Sequence, residues 1–301
     1  MIGFEDIEIN LSKNFNQQKL HHAIIISGKK GIGKATFAKS FCEKILLTSH
    51  GDIKSDLRLI QKAQDKKTIG VDEIRNLSDF LNYTSASSQF KFIIVDAICE
   101  LTNQASNSLL KSLEEPKKNI FYFLVAHNLS KIIPTILSRS LTIKVPEFSS
   151  SIFLQILRNH QLNFESMHQN FLADICDNCP ALAINYGNDL IKFYQLFLNS
   201  LIKHQINDEL IKKIADKNFP PIITERILLH FFSQILKKSH GININLFFDE
   251  AKVFEMMVAK FSAWQILNLS QEIMHQLASA HNANLDKKTN FINIFNRICY
   301  V

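Results

Sequence analysis

Residues 21–41 read HHAIIISGKKGIGKATFAKSF, and the fold follows from that stretch. Ala23 to Ser27 (AIIIS) is short, apolar and β-branched, the composition of a strand buried on both faces. From about Lys34 to Leu47, Phe37, Phe41 and Ile45 recur every four residues and predict a helix with one buried stripe. Between strand and helix lies Gly28-Lys29-Lys30-Gly31-Ile32-Gly33-Lys34, a G-x-x-x-x-G-K pattern in the strand–loop–helix context it requires. Glycines let consecutive N–H groups curl around a phosphate, the helix N-terminus adds partial positive charge, and Lys34 reaches the β and γ phosphates. The pattern normally continues with Ser or Thr, whose hydroxyl ligates Mg²⁺. Here the position is Ala35, and Thr36, one residue late, points about 100° away round the helix. The expectation is a phosphate loop of Gly28, Lys29, Lys30, Gly31, Gly33 and Lys34, with Thr36 and Asp96 as further nucleotide-binding candidates. Its shape persists while Mg²⁺-dependent turnover is impaired or lost. Retained ATP·Mg²⁺ binding is compatible with these residues, and a ligand-free glycine turn is the plain alternative.

Working outward, Lys91 to Asp96 (KFIIVD), Ile120 to Ala126 (IFYFLVA) and Leu141 to Val145 read as further strands. Helices are expected near 72–82 and over Asn103–Glu115, where Pro116 stops the run, with a short one near 130–139. Such alternation predicts a parallel sheet covered by helices. Asp96 closes a buried strand, where a P-loop enzyme holds its Mg²⁺ water. The next residue is Ala97, which cannot accept a proton from an attacking water. Glu100 reads as a solvated charge on a helix face. From Ser151 onward only helical patterns occur: 151–159, 168–177, 181–203, 208–217, 222–239, 253–261, 263–281 and 288–299.

The chain has 301 residues, 46% hydrophobic and 21% charged, enough to bury a core and too apolar for disorder. Eight glycines and six prolines argue against a turn-rich all-β fold, and three of those glycines fall in the one loop. The net charge of +6 sits mostly in the first half: residues 1–150 carry 20 Lys/Arg against 15 Asp/Glu. No Lys/Arg block with interleaved aromatics accompanies it, which disfavours a stand-alone DNA-binding module. The five cysteines are scattered, as in a reduced protein, and the acidic start (MIGFEDIEIN) does not resemble a signal peptide. No apolar run approaches the roughly 18 residues that span a bilayer. A cytoplasmic protein without membrane contact is expected.

The stretch at 91–140, KFIIVDAICELTNQASNSLLKSLEEPKKNIFYFLVAHNLSKIIPTILSRS, together with residues 21–41, closely resembles the δ′ subunits of the bacterial DNA polymerase III clamp loader, members of the AAA+ proteins. The landmarks are His22-Ala23, the GIGK loop, the aspartate and alanine at 96–97, the run from Ala105 to Pro116, and Pro134-Thr135-Ile136-Leu137-Ser138-Arg139. The likeness is strong over about 20–146 and architectural beyond. It implies an AAA+ P-loop-like α/β domain at 1–147, a small helical lid at 148–204 and a helical collar for oligomerisation at 205–301. It also implies that Arg139, with Ser138 beside it, acts in trans as an arginine finger on ATP bound by a neighbouring motor subunit; a surface ion pair is the plain reading of the same arginine. The implied partners are the γ/τ motor subunits and δ, with the sliding clamp and primed DNA reached through the complex. The chain would be a stator within a polymerase holoenzyme rather than an ATPase by itself.

Three departures from the family pattern bear on this reading. The family's four-cysteine zinc module is missing, since residues 43–98 hold no cysteine, so no zinc is expected; Cys176-x-x-Cys179 is half a site and reads as core thiols. The family's Ser-Arg-Cys reads Ser138-Arg139-Ser140. Leu182 stands where a motor subunit carries a second sensor arginine. An ATP-hydrolysing γ/τ-like motor subunit is the main alternative, which Ala35, Ala97 and Leu182 disfavour. A P-loop nucleotide kinase fits the helical second half poorly. Trp264, Leu267, Met274 and Leu277 are an interface stripe if they are not core.

Overall fold

The computed structural model describes residues 1–63, 66, 68–82, 90–216, 218–283 and 286–300. The chain divides into two compact units, Met1–Gln155 and Ile156–Val301.

The first unit runs α1 (Glu5–Asn16), β1 (Ala23–Ser27), α2 (Lys34–Thr48), α3 (Ile53–Asp56), β2 (Leu57–Gln61), α4 (Val71–Arg75), α5 (Leu77–Asn82), β3 (Lys91–Asp96), α6 (Asn103–Glu114), β4 (Ile120–Ala126), α7 (Pro134–Leu137) and β5 (Leu141–Lys144). The five strands form one parallel sheet in the order β2-β3-β4-β1-β5. Every residue of β1 is buried, as its unbroken apolar run predicts. Side chains alternate between faces. Phe123 meets α2 through Phe41, the rings 5.6 Å apart, and Phe92 packs on Phe123 at 6.3 Å. Ile25, Ile93, Val95 and Leu124 share the opposite cluster with Ile74, Leu77, Leu109 and Leu113. Thr102 caps α6 by accepting from the Ala105 N–H.

The α/β class expected from the sequence is what the structure contains, with differences in detail. β2 (LRLIQ) was not expected; it is an edge strand with one buried side chain, Ile60, so its sequence lacks an apolar run. The single helix expected over 72–82 is two, α4 and α5, broken at Asn76. The short helix near 130–139 is a 3₁₀ turn over Leu129–Lys131 followed by α7.

The second unit is helical. α8 (Ser150–Asn159) runs across the division, followed by α9 (Ser166–Ile175), α10 (Pro180–Lys203), α11 (Asp208–Ala215), α12 (Pro221–Ser239), α13 (Glu250–Lys260), α14 (Ala263–Ala283) and α15 (Lys287–Tyr300). Its core is aromatic: Phe171 stacks on Tyr194 at 5.0 Å, and Phe231 meets Phe197 at 5.3 Å and Phe254 at 5.6 Å. A polar knot crosses this core. Fully buried Glu250 accepts from the Tyr194 hydroxyl, from His230 Nε2 at 3.0 Å and from the Phe247 N–H at 2.8 Å. Helices on both sides of residue 204 therefore contribute to one core. On α14, Ile266, Leu269 and Ile273 are buried, whereas Trp264 is 69% exposed and Leu267, Met274 and Leu277 are half-buried. No helix among the described residues is long and apolar enough to cross a membrane.

Candidate functional site

Parallel pairing aligns the carboxyl ends of β1, β3 and β4. Ser27 lies beside Ala126, and Asp96 beside Val125. Ligands of open parallel sheets bind in the crevice beyond those ends, and the glycine loop opens there. Gly31 (φ +85°) and Gly33 (φ +103°) hold left-handed backbone that a side chain would strain, and Gly33 is the N-cap of α2. Gly28 answers a different need: a Cβ there would sit 3.1 Å from Val145 Cβ.

Lys34 is buried, and its ammonium donates to Gly28 O at 2.8 Å and Lys29 O at 2.6 Å. The cation thus lies inside the loop, where a phosphate would meet it. Lys29 pairs with Glu147 at 3.0 Å. Thr36 is exposed on α2, away from the loop as its position in the helix requires. Burial pushes the Asp96 carboxyl above its ordinary range; Lys34 opposes that shift and Glu100 adds to it. The sequence pattern thus brings Gly28, Lys29, Lys30, Gly31, Gly33, Lys34 and Asp96 to one crevice.

Glu100 corrects the sequence reading. It lies in a 3₁₀ turn over Ile98–Glu100, its side chain 17% exposed, and it faces Lys62 at 2.9 Å, Lys30 at 3.8 Å and His127 at 3.8 Å. His127, just past β4, sits with both ring nitrogens within 3.4 Å of Cys99 Sγ. Burial lowers its pKa, with Glu100 opposing. Neither residue stood out in the sequence, because nothing in the spacing 30–62–100–127 announces a cluster.

Arg139 lies elsewhere. It follows α7 and precedes β5, at the amino end of the sheet. Leu141 is in register with Ile24, and the Val145 N–H donates to Ser27 O. Arg139 and Gly28 are therefore separated by about six residues of strand, on the order of 20 Å. The guanidinium donates to Glu114 Oε1 at 3.0 Å and to Thr135 O at 3.1 Å, and is half-exposed. Ser138 Oγ donates to Thr135 O at 3.1 Å and accepts from Arg139 at 3.4 Å.

Among the described residues no cluster of three or more His, Cys, Asp or Glu could hold a metal ion. Cys176 and Cys179 are buried, and burial pushes the Cys176 thiol up to about 12. Leu182 lies half-buried in the first turn of α10.

A parallel sheet with a glycine loop after β1 and a helical unit beyond it is an arrangement found in P-loop α/β proteins. Residues 4–149 match a family described as "DNA polymerase III, delta subunit". The γ subunit of Buchnera aphidicola subsp. Schizaphis graminum is 29% identical over 203 residues, covering 62% of this chain and 56% of that one. The δ′ subunit of Haemophilus influenzae is 25% identical over 195 residues, covering 60% and 57%. The τ subunit of Bacillus subtilis is 28% identical over 247 residues, covering 72% and 43%. The chain thus spans about half the length of the curated relatives it matches. Among solved structures, a γ-subunit-related protein of Thermotoga maritima has the same fold, with a TM-score of 0.51 and 20% identity over 98% of both chains. These matches bear out the resemblance drawn from residues 21–41 and 91–140.

Proposed function

We propose that this chain is a δ′-type stator subunit of a DNA polymerase III clamp loader, supporting ATP-dependent loading of a sliding clamp on primed DNA. The observation that carries this reading is the placement of Arg139, half-exposed at the end of the sheet opposite the chain's own phosphate loop. An arginine so placed cannot serve its own loop and is available to nucleotide held by a neighbour. Its planar, permanently charged guanidinium suits the γ-phosphate oxygens as charge develops during phosphoryl transfer. Ala35 and Ala97 remove a Mg²⁺ ligand and a water-activating carboxylate from the chain's own site. The Lys34 cradle supports ATP binding without turnover there.

In this reading residues 1–147 are the AAA+ module, and residues 148–204 and 205–301 serve as lid and collar. The exposed Trp264 and half-buried Leu267, Met274 and Leu277 form a collar face for γ/τ and δ subunits. A second reading, an ATP-hydrolysing γ/τ-like motor subunit, is favoured by the γ and τ names among the relatives. The ATPase of the isolated chain separates the two. The stator reading expects no Mg²⁺-dependent turnover above buffer; sustained turnover abolished by Lys34→Ala would overturn it.

A further inference from the structure

The crevice at the carboxyl ends of β3 and β4 contains an anion of the protein's own. Glu100 is held in a short turn just past β3, mostly shielded from solvent, with one cation from the phosphate loop (Lys30), one from the segment after β2 (Lys62) and His127 from the end of β4 around it. Lys62 is the short contact at 2.9 Å, and the other two stand at 3.8 Å. Charge of this sign beside a loop built to receive phosphate acts against the ligand. It partly neutralises cations that a triphosphate would otherwise meet and repels phosphate oxygens placed in the loop.

We propose that Glu100 is an affinity-determining residue of the phosphate loop: an internal carboxylate that competes with nucleotide phosphate for Lys30 and the neighbouring cations and holds ATP affinity down. Lys62 is its positioning partner, shielding the carboxylate from the loop. The inference needs the loop to be a nucleotide site; it does not depend on Arg139 acting on a neighbour.

Two substitutions carry opposite signs. Glu100→Gln keeps the side chain's shape and removes its charge; ATP·Mg²⁺ should bind the full chain at least about fivefold more tightly, measured by isothermal titration calorimetry. The gain should be larger for ATP than for ADP and should shrink as salt is raised. Lys62→Met leaves Glu100 unshielded and should weaken ATP binding by about threefold or more. A purely structural salt-bridge cluster would give weaker binding in both variants, because both break it. Circular dichroism melts confirm that each variant is folded; should Glu100→Gln not fold, Glu100→Ala, which also removes the charge, takes its place with the same expected gain. The proposal is overturned if Glu100→Gln binds ATP no better than the unsubstituted chain, if Lys62→Met binds it as well or better, or if neither Glu100→Gln nor the unsubstituted chain binds at all. Turnover by the isolated chain would overturn the stator reading and leave this comparison of affinities standing.

Discussion

Asp96 is a carboxylate held where ionisation is costly. Burial raises its pKa above 3.8, the ordinary value, and the nearby Lys34 offsets only part of that. The folded state therefore keeps the proton more tightly than the unfolded state. The corresponding stability is present at low pH and is lost as pH rises through the folded pKa. Asp96→Asn should accordingly raise the melting temperature at pH 7, with the gain vanishing as pH falls below about 4. An equal or lower melting temperature at pH 7 would mean that cations in the crevice stabilise the charged form. Cys176 gives a simpler test. With its thiol pushed up to about 12, it should resist alkylation at pH 8 until the chain is unfolded, as read by mass spectrometry with and without denaturant.

At the scale of elements, legibility followed burial. β1, β3 and β4 are buried along nearly their whole length, so their apolar runs could be read directly. β2 could not, because an edge strand with exposed Arg58, Leu59 and Gln61 has neither an apolar run nor a clean alternation. α1 was missed for a related reason: among EDIEINLSKNFN only Leu11 is buried. The loop glycines and Lys34 were legible because backbone geometry demands them. The Glu100 cluster was not, since its members converge only through the sheet.

The same holds for the knot around Glu250, whose partners Tyr194 and His230 lie 56 and 20 residues away. His230→Ala leaves Glu250 with two of its three donors and should cost about 1–3 kcal/mol in urea unfolding. A loss below about 1 kcal/mol would show that water replaces the imidazole. In the sheet unit, Leu109→Ala opens a cavity between α6 and the sheet and should cost about 2–5 kcal/mol by the same measurement.

Over the whole chain, the two ends of the parallel sheet separate two kinds of chemistry. The carboxyl end holds the glycine loop with Lys34, Ala35 and Ala97 around it, and the amino end presents an arginine braced by Glu114 and the Thr135 carbonyl. In the proposed reading, that separation lets the subunit act on its neighbour's nucleotide rather than its own. The sequence motif located Arg139, but only the register of β5 against β1 placed it out of reach of its own loop. The most direct test is single-turnover ATP hydrolysis at the adjoining motor site of a reconstituted loader carrying Arg139→Ala. The rate there should fall by about 10³ or more, with ATP still bound, and Arg139→Lys should recover little of it because lysine cannot make the forked contact. Hydrolysis and clamp loading at unchanged rates in Arg139→Ala would contradict the account.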